Sequence, residues 1–273
     1  MNQNLTSEQQ LQLHSLTLQE KIQEKIAQSG SISFAQFMQM VLYYPGLGYY
    51  SSGMKKFGKE GDFITAPELG SLFAQCMAKQ FQQVLEMFDH SIILELGAGT
   101  GQFCYDCLLE LEQLNSLPKK YFILEISADL KQRQKQKIAR LPNHLKDLVE
   151  WINQPLEQDF CGVIFANEVL DALPVEVFEF RENKYKQKRI ECKDGFKETW
   201  MNFSDNLDQQ ITDKELNLQD GYQSEFIPNL ENWLHSITEN LAQGLVLFVD
   251  YGYERQAYYH PQRNQGTLVC HHH

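Results

Sequence analysis

The feature that most restricts how this chain can fold is a short apolar run that ends in glycines and leads into a helix. Ile92-Ile93-Leu94-Glu95-Leu96 is followed by Gly97-Ala98-Gly99-Thr100-Gly101 and then by helical spacing. A strand that is apolar on both faces has to be covered on both sides. The same pattern returns in Tyr121-Phe122-Ile123-Leu124-Glu125, Leu148-Val149-Glu150-Trp151, Gly162-Val163-Ile164-Phe165-Ala166 and Leu245-Val246-Leu247-Phe248-Val249-Asp250. Helical segments separate these runs. Strands alternating with helices imply an α/β fold with a mostly parallel sheet and helices on both faces. With 273 residues, 42% of them hydrophobic, the chain can bury such a core.

The flanking regions follow other patterns. Helical spacing runs from Leu5 to Gln28, where Gly30 can end it, and Ser33 can cap a second helix that stops before Pro45. The segment PGLGYYSSGMKKFGKEGDFITAPE has no clear period, and a loop of that length is uncommon unless it has a function. A long amphipathic helix is expected from about Leu69 to Phe88. This divides the chain into a helical and loop cap, 1–68, and a main domain, 69–273. The main domain carries an insertion at about 175–222. Within it, Val175 to Phe203 reads as short strands with turns such as Lys193-Asp194-Gly195, and Ser204 to Gly221 as a polar, mobile loop.

Composition excludes several classes. The formal net charge of -12 gives no general attraction to phosphate, so no nucleic-acid partner is expected. Lys131, Arg133, Lys135, Lys137 and Arg140 read as the solvated face of a helix. An acidic surface suits a basic protein substrate. The six cysteines are scattered, as in a reducing compartment, and the Cys104/Cys107 pair reads as helix packing with no metal site. No apolar run reaches about 18 residues, so no membrane span is expected. The start, MNQNLTSEQQ, lacks signal and transit features, which makes cytoplasm the expected location.

In an open parallel sheet, ligands sit outside the carboxyl ends of the strands. Gly97, Gly99 and Gly101 remove Cβ atoms where the backbone must turn tightly and approach a ligand, and the helix that follows offers free N–H groups. A dinucleotide fingerprint would need Gly or Ala where Gln102 stands, which disfavours a nicotinamide oxidoreductase. Glu125 closes the next strand, where an acid can accept both ribose hydroxyls of an adenosine ligand; it also fits a cap contact near Ser127. Trp151 is a candidate wall for an adenine ring and equally a core residue. The stretch E-L-G-A-G-T-G resembles the first motif of class I methyltransferases, whose loop holds the methionine part of S-adenosylmethionine (SAM). The candidate cofactor residues are therefore Glu95, Gly97, Ala98, Gly99, Gly101 and Glu125.

Further blocks point to one family. YYPGLGYY (43–50), GDFITAPE (61–68), ILELGAGTG (93–101), FANEVLDALPVEVF (165–178), FVDYG (248–252) and GTLVC (266–270) occur in that order. From about Ile32 onward the chain resembles the MidA family, whose mitochondrial member is an arginine methyltransferase that assists assembly of respiratory complex I. The resemblance implies a class I SAM-methyltransferase (Rossmann-like) fold, SAM as methyl donor, and an arginine of a partner protein, a respiratory-complex subunit among the candidates, as acceptor. Without a mitochondrial presequence, a bacterial or other non-mitochondrial member is expected. Family members continue past GTLVC with the last strands of the sheet, so those strands are expected to be missing; His271-His272-His273 reads as a terminus rather than a metal site.

Methyl transfer to a guanidinium needs an aligned acceptor and a place for its proton. Carboxylates can hold a guanidinium in a fork geometry. Glu168 and Asp171 follow the strand that ends at Ala166, with Asn167 before them to orient a polar group. Three residues apart, they share a face if the turn is helical. On spacing alone a helix cap with a proline stop at Pro174 fits equally; the resemblance favours a site. Asp62, Thr65 and Glu68 in GDFITAPE are candidates for a substrate contact or lid, although Gly61 and Pro67 also suit a simple connection. Tyr49 and Tyr50 read as aromatic packing, and Asp250 and Tyr251 end a strand on the site's side of the sheet. A non-catalytic SAM-binding assembly factor and a small-molecule methyltransferase are the alternative functions.

Overall fold

The structure, a computed structural model, describes residues 7–51 and 65–269. In chain order the first elements are α1 (Ser7–Ser29), β1 (Ile32–Ser33), α2 (Phe34–Tyr43), α3 (Ala66–Leu69), α4 (Leu72–Leu85), β2 (Ile92–Leu96), α5 (Gln102–Gln113), β3 (Lys120–Leu124), α6 (Ala128–Ile138) and α7 (Asn143–Lys146). They are followed by β4 (Val149–Ile152), β5 (Phe160–Asn167), β6 (Glu176–Arg181), β7 (Lys184–Cys192), β8 (Phe196–Asn202), α8 (Asp205–Thr212), β9 (Tyr222–Phe226), α9 (Leu230–Thr238), β10 (Leu241–Val249) and α10 (Arg255–Tyr258). The described residues form two compact units, one of 65–172 with 229–251, the other of 7–51 with 173–228 and 252–269.

The first of these units is built on a five-stranded parallel sheet in the order β10-β5-β2-β3-β4. Counted along the chain, β2 comes first and β5 fourth, so the winding reverses between these two neighbours. The carboxyl ends of β2 and β5 therefore flank a topological switch point, where open α/β sheets leave a crevice. Every residue of β2 is buried. Because side chains alternate across a strand, Ile93 faces one core and Leu94 and Leu96 the other. On the Ile93 side, α4 contributes Ala74, Ala78, Phe81 and Leu85, and α5 contributes Phe103, Cys104, Cys107, Leu108 and Leu111. Phe103 stacks on Phe165 of β5 at 4.2 Å between ring centroids. The opposite face packs against Trp233, Leu234 and Ile237 of α9. This is the doubly wound sheet, covered on both faces, that the apolar strand pattern implies.

One helix departs from expectation. The helix expected from Leu69 to Phe88 is broken at Gly70, whose φ of +152° ends α3 before α4 starts at Leu72. Leu69 and Leu72 at the break are exposed, which an unbroken amphipathic stripe would not leave.

The second unit has an antiparallel sheet. One edge of β7 pairs with β8, while its other edge is shared end to end by β6 and β1; β9 pairs beyond β6. Ile22 and Ile26 of α1, one helical turn apart, meet Ile32 and Ile190 in a small core. Ser33 caps α2 through a reciprocal box with Gln36. The N-terminal helices and the inserted strands thus belong to one unit, because Ile32 and Ser33 pair with Ile190 and Arg189. The segment from Ser204 to Gly221, expected to be a mobile loop, instead contains α8. Its Ile211 is fully buried with Phe178, Phe203, Tyr222 and Phe226, and Leu207 packs against the same core. Two apolar residues at helical spacing hold this helix although the rest of it is polar. No helix of the described residues is long and apolar enough to cross a membrane.

Candidate active site

The loop after β2 depends on its glycines. Gly97, Gly99 and Gly101 all have left-handed backbones, with φ of +62°, +53° and +83°. A Cβ on Gly97 would lie 3.1 Å from Val169 Cγ2, and one on Gly101 would lie 3.2 Å from Gln134 Cα. The glycines therefore allow both the turn and the close approach of α6. Gly97 N–H donates to Leu124 O at 3.1 Å, which fastens the loop to the end of β3. No side chain among the described residues caps α5, which leaves its first N–H groups to a ligand. Ala98 is buried in the core, as is Glu95. The Glu95 carboxyl accepts from Tyr121 Oη at 2.8 Å, and burial, with help from the Glu125 charge, pushes it up to about 8.

Glu125 follows the last residue of β3. It accepts from Ser127 N–H and from Gln134 Nε2, each at 2.8 Å. Ser127 in turn caps α6 by accepting from Leu130 N–H. The local cap contact is therefore made, whichever ligand the carboxylate also meets. Burial raises the Glu125 carboxyl above its ordinary value, and its hydrogen bonds work against that shift. Trp151 packs on the core and donates its indole N–H to Gln134 Oε1 at 2.9 Å. Ile126, next to Glu125, is the apolar side chain left open to solvent there, at 70% exposure.

Gln134 escaped the sequence reading because it lies within the basic run of α6. The signal was present: Leu130, Gln134 and Ile138 lie four residues apart, and all three are buried. Gln134 is a polar residue at a position the helical period reserves for the core. The charged residues around it do lie on a solvated face: Arg133 pairs with Asp129, and Lys131 donates to Asn153.

At the end of β5 the structure replaces an expected helical turn with a non-helical one. Residues 168–172 form bends and turns, and Glu168 has a left-handed φ of +51°. Asp250, from the end of the neighbouring β10, holds this turn by accepting from Leu170 N–H at 2.8 Å. Glu168 and Asp171 are thus brought near each other by an anchor from β10 instead of by helical spacing. Partial burial, then the Asp171 and Asp250 charges, raises the Glu168 carboxyl; partial burial and Asp250 raise that of Asp171, with solvent screening at its exposed position. No ion pair among the described residues neutralises these three carboxylates. Asn167 Nδ2 lies 3.5 Å from Glu168 Oε1, while its buried Oδ1 has no partner among the described residues.

The end of GDFITAPE reaches both parts of this region. Thr65 precedes α3, Ala66 gives a backbone hydrogen bond to the Glu168 carboxyl, and Glu68 accepts from Thr100 Oγ1 in the glycine loop. Asp62 lies outside the described residues.

A five-stranded parallel sheet reversing at β2 and β5, with a glycine loop on one side of the reversal and an acid at the end of β3, defines the class I methyltransferase fold. The model of the family described as "Putative S-adenosyl-L-methionine-dependent methyltransferase" matches residues 72–273, and the chain belongs to this MidA family of SAM-dependent methyltransferases. A crystal structure of a candidate methyl transferase from Burkholderia thailandensis, bound to S-adenosyl-homocysteine, superposes with a TM-score of 0.89 at 32% identity, covering 99% of this chain and 71% of that one. The mitochondrial protein arginine methyltransferase NDUFAF7 of Bos taurus is 28% identical over 217 residues, 70% of this chain and 45% of its own length. Its Drosophila melanogaster homolog is 26% identical over 198 residues, 64% of this chain. The chain spans about 45% of the length of these curated relatives.

Proposed function

We propose that this protein binds SAM beside the glycine loop and transfers its methyl group to an arginine of a partner protein. The observation that carries the reading is the switch point: three left-handed glycines follow β2, and a group of carboxylates that no ion pair among the described residues neutralises ends the adjacent β5 and β10. The residues fit the cofactor. Gly97 and Gly101 let the loop pack against Val169 and Gln134, a Cβ on Gly99 would enter open space beside it, and the buried Asn167 Oδ1 has no donor among the described residues. Gly97, Ala98, Gly99 and Gly101 would surround the methionine part, Glu125 would accept from the ribose, and Glu95 would support the loop from below.

SAM supplies an electrophilic methyl on a sulfonium, so the protein's task is alignment and proton handling. Glu168 and Asp171 hold the guanidinium by charge-assisted hydrogen bonds and keep its nitrogen in line. As that nitrogen gains the methyl it releases a proton, and a carboxylate with a raised pKa is suited to accept it. Thr65 and Glu68 form an edge beside the reacting groups. The names of the NDUFAF7 relatives support arginine as acceptor, and the family resemblance supports a respiratory-complex subunit as partner.

Transfer of labelled methyl from SAM into protein, combined with calorimetric titration of S-adenosyl-homocysteine, tests the reading. Glu168→Gln should lower turnover by roughly 10²-fold while product affinity stays unchanged. Transfer by the variant at the wild-type rate would remove Glu168 from the chemistry. Binding by the wild type without transfer to any protein would instead mark a binding module or an enzyme for small molecules.

A further inference from the structure

Gln134 is fully buried, lies on no strand end, and belongs to none of the motifs in the glycine loop, the strand ends or GDFITAPE. Its amide nevertheless joins three separate parts of the cofactor region. One N–H goes to Gly99 O at 3.0 Å and the other to Glu125 Oε2 at 2.8 Å, while its carbonyl accepts from Trp151 Nε1 at 2.9 Å. The orientation is unambiguous. A flipped amide would set its oxygen against a carbonyl and a carboxylate, and its NH2 against an indole N–H. Two donors and one acceptor, fixed in a plane, are what the three partners require. α6 comes this close because Gly101 has no Cβ to meet Gln134.

We infer that Gln134 is the positioning residue of the cofactor site, holding the Glu125 carboxylate and the Gly99 carbonyl in the arrangement that receives the nucleoside ribose. This inference rests on the proposed binding of SAM. A carboxylate has about four acceptor positions. Ser127 N–H, Ile126 N–H and Gln134 Nε2 fix its plane from the protein side and leave capacity for a ribose hydroxyl. Without Gln134, the Glu125 side chain loses a contact that fixes its carboxylate plane, and the glycine loop loses its tie to α6. The charged groups around the position are Glu125, Glu95, Lys131, which acts on Glu125, and Lys135, whose Nζ lies 5.4 Å from the Trp151 ring centroid.

The experiment is calorimetric titration of the purified protein with S-adenosyl-homocysteine and with its 2′-deoxy counterpart, at pH 5.5 and pH 8. Wild type sets the reference pH dependence and should lose about tenfold on removal of the hydroxyl. Gln134→Glu should bind the parent compound about tenfold or more weakly at pH 8, where two carboxylates face each other, and regain part of that loss at pH 5.5. It should also discriminate poorly between the two ligands, which a general loss of stability would not produce. Trp151→Phe removes the donor that orients the Gln134 carbonyl together with part of the ring's packing, and it serves if Gln134→Glu does not fold; a loss of roughly threefold to tenfold is expected. Wild-type binding with variants that match it in affinity, pH response and discrimination would overturn the inference alone. Failure of the wild type to bind either ligand would overturn the cofactor reading and the inference with it.

Discussion

Glu95→Gln measures what it costs to keep an ionisable group under the glycine loop. The Glu95 carboxyl is buried on the core side of β2, has Tyr121 Oη as its hydrogen-bond donor, and is raised from 4.5 to about 8. Between those values the folded chain keeps the proton while the unfolded chain has lost it. The folded state binds more protons, so stability falls as pH rises through this window. At about 1.36 kcal/mol per pKa unit, the loss reaches up to about 5 kcal/mol by pH 8. Glutamine stays neutral and can accept the same Tyr121 bond, but its buried amide N–H groups need partners, at a cost of about 1–3 kcal/mol. The variant should therefore be less stable than wild type at pH 5 by up to about 2 kcal/mol and more stable above pH 8 by about 2–4 kcal/mol. Urea unfolding between pH 5 and 9 reads both. Glu168, Asp171 and Glu176 are also raised, but they are common to the two proteins and cancel in the difference, whereas Glu125, whose charge acts on Glu95, adds to it. Parallel pH profiles for wild type and variant would refute the reasoning.

Two other substitutions probe the loop and the turn. Gly101→Ala puts a side chain on a left-handed backbone and against the α6 main chain; it should cost about 1–2 kcal/mol in stability and weaken binding of S-adenosyl-homocysteine. Thermal melting and calorimetry check this, and wild-type values in both would contradict the tight approach of α6. Asp250→Asn should leave product affinity near wild type and reduce turnover by roughly tenfold through a looser 168–171 turn. Since the Asp250 charge raises the Glu168 and Asp171 carboxyls, its removal lowers them, and the acid limb of the turnover profile should move to lower pH. An unmoved acid limb would separate Asp250 from the chemistry.

The amino-acid sequence alone determines the parts of this protein that depend on neighbouring residues. The apolar runs mark β2, β3 and β5, Ser33 caps α2, and the glycines of 97–101 announce a loop with left-handed backbone. In each case period, cap or backbone freedom acts within a few positions. Polarity misled where two residues outweighed a segment: Leu207 and Ile211 hold α8 against an otherwise solvated composition. Only the tertiary structure decided which strand ends meet. Asp250 anchors the turn at Leu170 across 80 positions, and Gln134 reaches Gly99 across 35. Such contacts follow from strand order and helix docking, which leave no periodic trace in the chain. Gln134 shows the boundary most clearly. The helical period already marks it as an inward position, but only the packed fold shows that a buried amide belongs there, because its three partners come from three different strands' ends and loops.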